Sequence, residues 1–256
     1  MKIILFFTYG ISLLDWKNTG LLDRELKFYE KMYDKFGIST VLLTYGDAKD
    51  IEIIQNKDFI EIVPIYTILK YDKNKYFRIA RSFLLPFRLK KLIRDVQMLK
   101  TNQLLGSWVA IICKMLYKKP LIVRTGYDLL TFSKKNKKNF LKIYFYKQLT
   151  QLSLRYSNIY LVTSSVDKEK LSLLFKKYEK KIKIRPNWVE VTDRKGFGER
   201  FDNRLISIGR LEKQKNYNSL IDKLHNSNLI VDIYGEGTEK ENLIKLSKNL
   251  NVKLRI

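Results

Sequence analysis

Short apolar runs alternate along this chain with longer segments whose apolar residues recur at helical spacing, and this alternation restricts the fold more than any other feature. Lys2–Phe7, Ser39–Leu43, Phe59–Val63, Leu121–Val123, Ile159–Thr163 and Ile182–Ile184 are strand-length and almost wholly apolar. Val96–Leu99 reads as a further short strand, and Pro64 stops the third run. Between them, Gly20–Phe36 places Leu22, Leu26, Tyr29, Met32 and Tyr33 on one helical face, and Gly37 follows as a C-cap. Leu104–Leu116, Asn139–Tyr156 and Lys168–Phe175 also read as helices, the last opened by a capping box in Ser164-Ser165-Val166-Asp167. Strands that are continuously apolar are buried on both faces, so the pattern predicts an α/β fold with a parallel sheet under helices.

Arg185–Asn203 breaks the pattern with Pro186, Gly196, Gly198 and scattered charge. The alternation then restarts: strand Arg204–Ile208, helix Asn216–Leu224, strand Leu229–Tyr234, helix Thr238–Leu250 and strand Val252–Ile256. A second βαβ series after a linker predicts two Rossmann-like domains, residues 1–186 and 187–256. Ligands of such folds sit where strand ends meet helix N-termini.

Composition removes several kinds of chemistry. With one cysteine, Cys113, and one histidine, His225, the chain forms no internal disulfide, zinc knuckle or His-rich metal site. Cys113 lies in the apolar run Trp108–Leu116 and reads as a small core residue; His225 reads as a helix-end residue. A lone cysteine fits a reducing cytoplasm. No apolar run reaches the ~18 residues that span a bilayer. Ile3–Leu14 superficially resembles a signal peptide, but Tyr9-Gly10 interrupts it and Asp15-Trp16-Lys17 follows without a small-residue cleavage site.

The net charge is +24, and it is unevenly spread. Residues 1–50 hold 7 basic and 7 acidic side chains, residues 51–200 hold 33 and 12, and residues 201–256 hold 10 and 7. A basic middle suits an anionic membrane surface, nucleic acid or a phosphate-rich substrate.

The sharpest motif is Ser207-Ile208-Gly209-Arg210-Leu211-Glu212-Lys213-Gln214-Lys215-Asn216, a strand, a turn and a helix start. Gly209 lets a ligand approach the backbone. Arg210 offers a fork of donors and Lys215 a point charge, a pair suited to a diphosphate. The next strand ends the same way, in Tyr234-Gly235-Glu236-Gly237. Upstream stands Arg185-Pro186-Asn187-Trp188-Val189-Glu190.

This order, Pro-Asn-x-Val-acid, then Gly-Arg-Leu-x-x-x-Lys-Asn, then strand-Gly-x-Gly, resembles the retaining glycosyltransferases of family 4. The resemblance extends over most of the chain and implies the GT-B fold: an acceptor-side Rossmann-like domain and a nucleotide-sugar donor domain. It implies that Arg210 and Lys215 grip the donor diphosphate and stabilise the departing nucleotide, with Gly209, Asn216, Gly235 and Gly237 around them. It implies acceptor-side roles for Tyr9, Gly10, Trp16, Asn18 and Gly20 on the first strand-to-helix loop. Arg124, Tyr127 and Asp128, in a segment similar to one near the interdomain cleft, complete that side. The implied substrates are a nucleoside-diphosphate sugar and a lipid-linked or polysaccharide acceptor of bacterial surface glycan (capsule or lipopolysaccharide), with no metal and no cofactor. The sequence departs from the family in two places. Tyr127-Asp128 stands where many relatives carry a histidine. The family's two glutamates eight positions apart belong to a later loop, and the sequence ends at Ile256 before one. The donor domain is therefore expected to be partial, and sugar transfer by these 256 residues alone to be slow.

Tyr76–Lys91 and Ser133–Tyr146 interleave cations with aromatics. That mixture suits the headgroup region of an anionic membrane, single-stranded nucleic acid, or core aromatics on helices whose other face carries solvated lysines. The resemblance, through its lipid-linked acceptors, implies the membrane, with Arg78, Arg81, Arg88, Lys90 and Lys91 as the cations, on the cytoplasmic face of the cell membrane. The alternative to an enzyme is a non-catalytic remnant that binds an acceptor or partner; a nucleic-acid-binding protein rests on charge alone.

Overall fold

A computed structural model describes residues 1–256 except 55–56, 127–128, 136–138, 190–200, 250–252 and 256. The chain divides into two compact units, Met1–Glu190 and Val191–Ile256. The first carries, in order, β1 (Lys2–Phe6), α1 (Leu13–Asn18), α2 (Leu22–Phe36), β2 (Ser39–Thr44), α3 (Lys49–Ile53), β3 (Ile60–Pro64), α4 (Ile65–Ile68), α5 (Lys75–Ser82), α6 (Leu85–Arg88), α7 (Lys90–Asp95), β4 (Met98–Thr101), α8 (Ser107–Tyr117), β5 (Leu121–Arg124), α9 (Leu129–Lys135), α10 (Phe140–Tyr156), β6 (Ile159–Val162), α11 (Ser165–Leu174) and β7 (Ile182–Ile184). Its seven strands form one sheet in the order β3-β2-β1-β4-β5-β6-β7, all parallel. The order reverses between β1 and β4, which is the switch point where ligands of doubly wound sheets gather. The structure is thus the α/β, Rossmann-like arrangement that the alternation predicts.

Local signals act as expected at several ends. Gly37 takes φ 61° and closes α2. Ser164 Oγ accepts from the Asp167 amide and opens α11, and Asn139 caps α10. At the other end of α10, the Lys181 ammonium donates to the carbonyls of Leu154, Arg155 and Ser157, where the helix dipole is negative. The core runs through the strands, with Ile4, Leu5, Val41, Leu42, Leu99 and Val123 fully enclosed, and Cys113 is buried with them.

Three differences from the sequence reading have physical causes. Residues 13–18 form α1, a single turn and a half, started by a capping box between Ser12 and Asp15. Its brevity hid it, and it carries Trp16 and Asn18 out of the loop. β4 lies two residues later than Val96–Leu99 because it includes Lys100, whose charge ends the apolar run in the sequence. Short helices α3 and α4 follow β2 and β3 in segments for which the sequence pattern predicts no element.

The second unit is β8 (Arg204–Ile208), α12 (Tyr217–Leu224), β9 (Ile230–Tyr234), α13 (Lys240–Asn249) and β10 (Lys253–Arg255). Its sheet runs β10-β9-β8, again parallel. Ile221, Leu224 and Leu243 pack on Val231 and Ile233 as a small separate core. On the edge strand Ile206 and Ile208 are 68% and 80% exposed, so apolar side chains of that sheet meet solvent. Among the described residues, no helix of either unit is long and apolar enough to cross a membrane.

Candidate functional site

The Gly209–Asn216 loop is built by backbone hydrogen bonds to the loop after the neighbouring strand. Gly209 N–H donates to Tyr234 O at 3.0 Å, Leu211 N–H to Glu236 O at 2.9 Å, and Glu239 N–H to Leu211 O at 2.9 Å. Leu211 is fully buried and anchors the loop in the small core. The two loops touch so closely that a Cβ on Gly235 would stand 1.9 Å from Gly209 O, and one on Gly237 2.3 Å from Leu211 O. At both glycines this chain's own backbone stands where a side chain would be, which is a packing reason for glycine there.

A single 3-10 turn, Lys213–Lys215, then leads to Asn216, which takes φ 54° and precedes α12 without a side-chain capping bond. Asparagine tolerates that left-handed conformation, so its backbone accounts for the residue. Lys215 folds back along the loop, its Nζ 3.9 Å from the place of a Gly209 Cβ, and Tyr217 Oη lies 3.0 Å from the same point. Arg210 and Lys215 are both exposed. Among the described residues, neither side chain makes a hydrogen bond or ion pair. The loop therefore presents two exposed cations beside Gly209, held by main-chain bonds that do not use up their charge.

In the first unit, Tyr9, Gly10 and Gly20 lie on the turns around α1, with Gly10 and Gly20 at φ 78° and 68°. Tyr9 Oη donates to Lys75 O at 3.4 Å, and its ring packs edge-on to Tyr45 at 4.9 Å. Burial raises its hydroxyl pKa. Trp16 is a core residue, 3% exposed and stacked on Phe7 at 4.2 Å, so the acceptor-facing place expected of it is corrected. Asn18 is exposed at the end of α1. Gly106, which the sequence reading passed over, has φ 95°, and a Cβ there would meet Phe7 O at 2.9 Å; it lets α8 start against the end of β1. Tyr127 and Asp128 lie outside the described residues.

Arg124 donates to Asn187 Oδ1 at 2.7 Å. It lines a cavity of about 320 Å³ on one face of the large sheet, beneath α2, together with Phe28, Met98, Ile122 and Trp188. Lys100 also points there. Its ammonium donates to Tyr29 Oη at 3.2 Å and lies over the rings of Phe28 and Tyr29. Burial, then the Arg124 charge, lowers its pKa to about 8, against the pull of Glu25.

Of the five expected membrane cations, two are engaged. Arg78 Nη1 donates to Tyr71 Oη and to the carbonyls of Asp72 and Lys73. Arg81 bonds Lys70 O and pairs with Asp72 at 3.3 Å. Arg88, Lys90 and Lys91 are exposed with Phe83 and Phe87 nearby in sequence, also exposed.

No protein-family model and no curated protein matches the sequence. Solved structures match the fold along the whole chain. The lipopolysaccharide outer core galactosyltransferase WaaB superposes with a TM-score of 0.62 at 16% identity, covering 99% of this chain and 67% of that one. Anabaena HepE in complex with UDP gives 0.62 at 13%, covering 100% and 68%. Sucrose-phosphate synthase from Thermosynechococcus elongatus gives 0.66 at 12%, covering 100% and 71%. The chain thus shares the fold of GT-B glycosyltransferases and spans about two-thirds of their length.

Proposed function

We propose that this chain belongs to a nucleotide-sugar-dependent glycosyltransferase of the retaining, family 4 type. It would carry a hexosyl group from a nucleoside-diphosphate sugar to a lipid-linked or polysaccharide acceptor in bacterial surface glycan synthesis. The single observation that carries this reading is the pair Arg210 and Lys215, without a hydrogen bond or ion pair among the described residues, on a strand-to-helix loop of a Rossmann-like unit. Transfer breaks the bond between the anomeric carbon and the diphosphate oxygen, and the nucleoside diphosphate leaves with the electron pair. Two fixed cations at the diphosphate stabilise that developing charge without a metal or cofactor. Structures of the same fold with UDP bound, such as HepE, support a diphosphate ligand here.

In this reading residues 1–186 serve the acceptor and residues 187–256 the donor. Arg88, Lys90 and Lys91 hold the acceptor side at the anionic cytoplasmic face of the membrane. Calorimetric titration of the chain with UDP, GDP, ADP and TDP in EDTA tests the proposal. One of them should bind and the others bind more weakly; heat from none would remove the reading.

A further inference from the structure

Side chains alternate along β4, β5 and β6, and the alternation sorts them onto two faces of the sheet. Leu99, Leu121 and Val123 are buried in the main core on one face. Met98, Lys100, Ile122, Arg124 and Leu161 point the other way, into the cavity beneath α2. Phe28 and Met32 of α2, with Trp188, complete its apolar wall.

Lys100 is the residue that such a wall does not explain. Its ammonium has one hydrogen-bond partner, the neutral Tyr29 hydroxyl at 3.2 Å, and lies over the rings of Phe28 and Tyr29. No carboxylate pairs with it among the described residues. The cavity wall carries four cationic side chains, Arg24, Lys100, Arg124 and Arg185, and one acid, Glu25. Glu25 is already paired with Arg24 at 2.7 Å. Arg124 and Arg185 repel the Lys100 charge rather than balance it. The Arg124 guanidinium itself donates to a neutral acceptor, Asn187 Oδ1. Charge withdrawn from water is ordinarily paired, because desolvation is costly. Ring faces and a neutral hydroxyl return less than an opposite charge does. The wall is thus complementary to an anion that this chain does not supply.

The same features discriminate among ligands. A small hydrated anion such as inorganic phosphate would leave the apolar wall unmet. A neutral apolar molecule would leave the Lys100 ammonium uncompensated. A nucleotide sugar carries many hydroxyls, and Phe28, Met98, Ile122 and Leu161 offer them no partner. A molecule with a carboxylate or phosphate at one end and an apolar body at the other satisfies both halves of the wall. The volume of about 320 Å³ lies at the small end of the ~300–1,000 Å³ of small-molecule sites, which suits one chain or one ring system.

We propose that the cavity beneath α2 binds a small anionic amphiphile, with Lys100, Arg124 and Arg185 around the anionic group and the face of β4, β5 and β6 against the apolar body. The site shares no residue with the Gly209–Asn216 loop, and it stands whether or not the chain transfers sugar. The test is calorimetric titration of the whole chain with decanoate, decyl phosphate, decanol and acetate, each below its micellar concentration. Decanoate or decyl phosphate should bind about tenfold or more tightly than decanol, and acetate should give no heat. The tighter of the two anions tells a carboxylate ligand from a phosphate ester. Lys100→Met keeps the length and apolar stem of the side chain and removes the charge. It should weaken the anion about tenfold to a hundredfold and leave decanol unchanged. Met32→Trp, which narrows the cavity from α2 without altering the sheet, should weaken anion and decanol alike. Circular dichroism checks that both variants fold. Anions that bind no tighter than decanol, that bind Lys100→Met as they bind the wild type, or that do not bind at all would overturn the proposal.

Discussion

At the scale of single residues, two glycines show why residue type alone does not report role. Gly10 has φ 78° with open space around it, so alanine there meets only backbone strain, ~1 kcal/mol. Gly235 has no room at all, because the Gly209 carbonyl stands where its Cβ would be. Gly235→Ala should therefore cost clearly more, ~2–4 kcal/mol, by forcing the two loops of the small unit apart. Urea unfolding of both variants checks this, and equal losses would contradict the packing. Lys100 carries a pH signature. Its folded pKa of about 8 lies below the ordinary 10.5. Between those values the unfolded chain holds a proton that the folded chain has lost, so its contribution to stability rises with pH across that window. Lys100→Met should stabilise the protein near pH 7 by at most ~3 kcal/mol, and the advantage should fade by pH 10.5. An advantage unchanged between pH 7 and 10 would show that burial does not depress this lysine. Arg124, Glu25 and Arg185 face the same ammonium, and the wild-type comparison holds them constant.

At the scale of elements, the strands of the large sheet were legible because parallel strands are apolar on both sides. β1, β2, β3, β5, β6 and β7 fall within a residue or so of their apolar runs. α1 was not legible, since six residues give no helical period, and neither was the end of β4, where Lys100 sits in a strand. The loop with Arg210 and Lys215 could be read because it is one contiguous motif. The cavity beneath α2 could not, because its walls come from segments brought together only by strand order. The same contrast divides the basic stretch. Arg78 and Arg81 knit α5 to the preceding loop, whereas Arg88, Lys90 and Lys91 on α6 and α7 make no side-chain bond among the described residues. Each free cation near an anionic bilayer contributes ~1 kcal/mol. Co-sedimentation with phosphatidylserine vesicles at low salt should therefore be lost when those three become Gln, with folding kept. The pair Arg78→Gln and Arg81→Gln should instead lower thermal stability. Equal binding to neutral and anionic vesicles would reduce the patch to solvated helix faces.

At the scale of the molecule, the seven-stranded unit and the three-stranded unit each repeat the same arrangement, with loops at the carboxyl ends of parallel strands carrying the polar groups that the core does not use. In the small unit these are the Arg210 and Lys215 cations, unpaired among the described residues, beside Gly209. Two cations so placed suit the diphosphate of the donor proposed above. The measurement that bears most directly on this account is the titration of UDP into the wild-type chain and Arg210→Ala side by side, in EDTA. A charge-assisted hydrogen bond contributes ~1.5–3 kcal/mol, so the variant should bind about tenfold to more than a hundredfold more weakly with its fold unchanged. Equal affinity of the two proteins for UDP would place the diphosphate elsewhere and contradict the account.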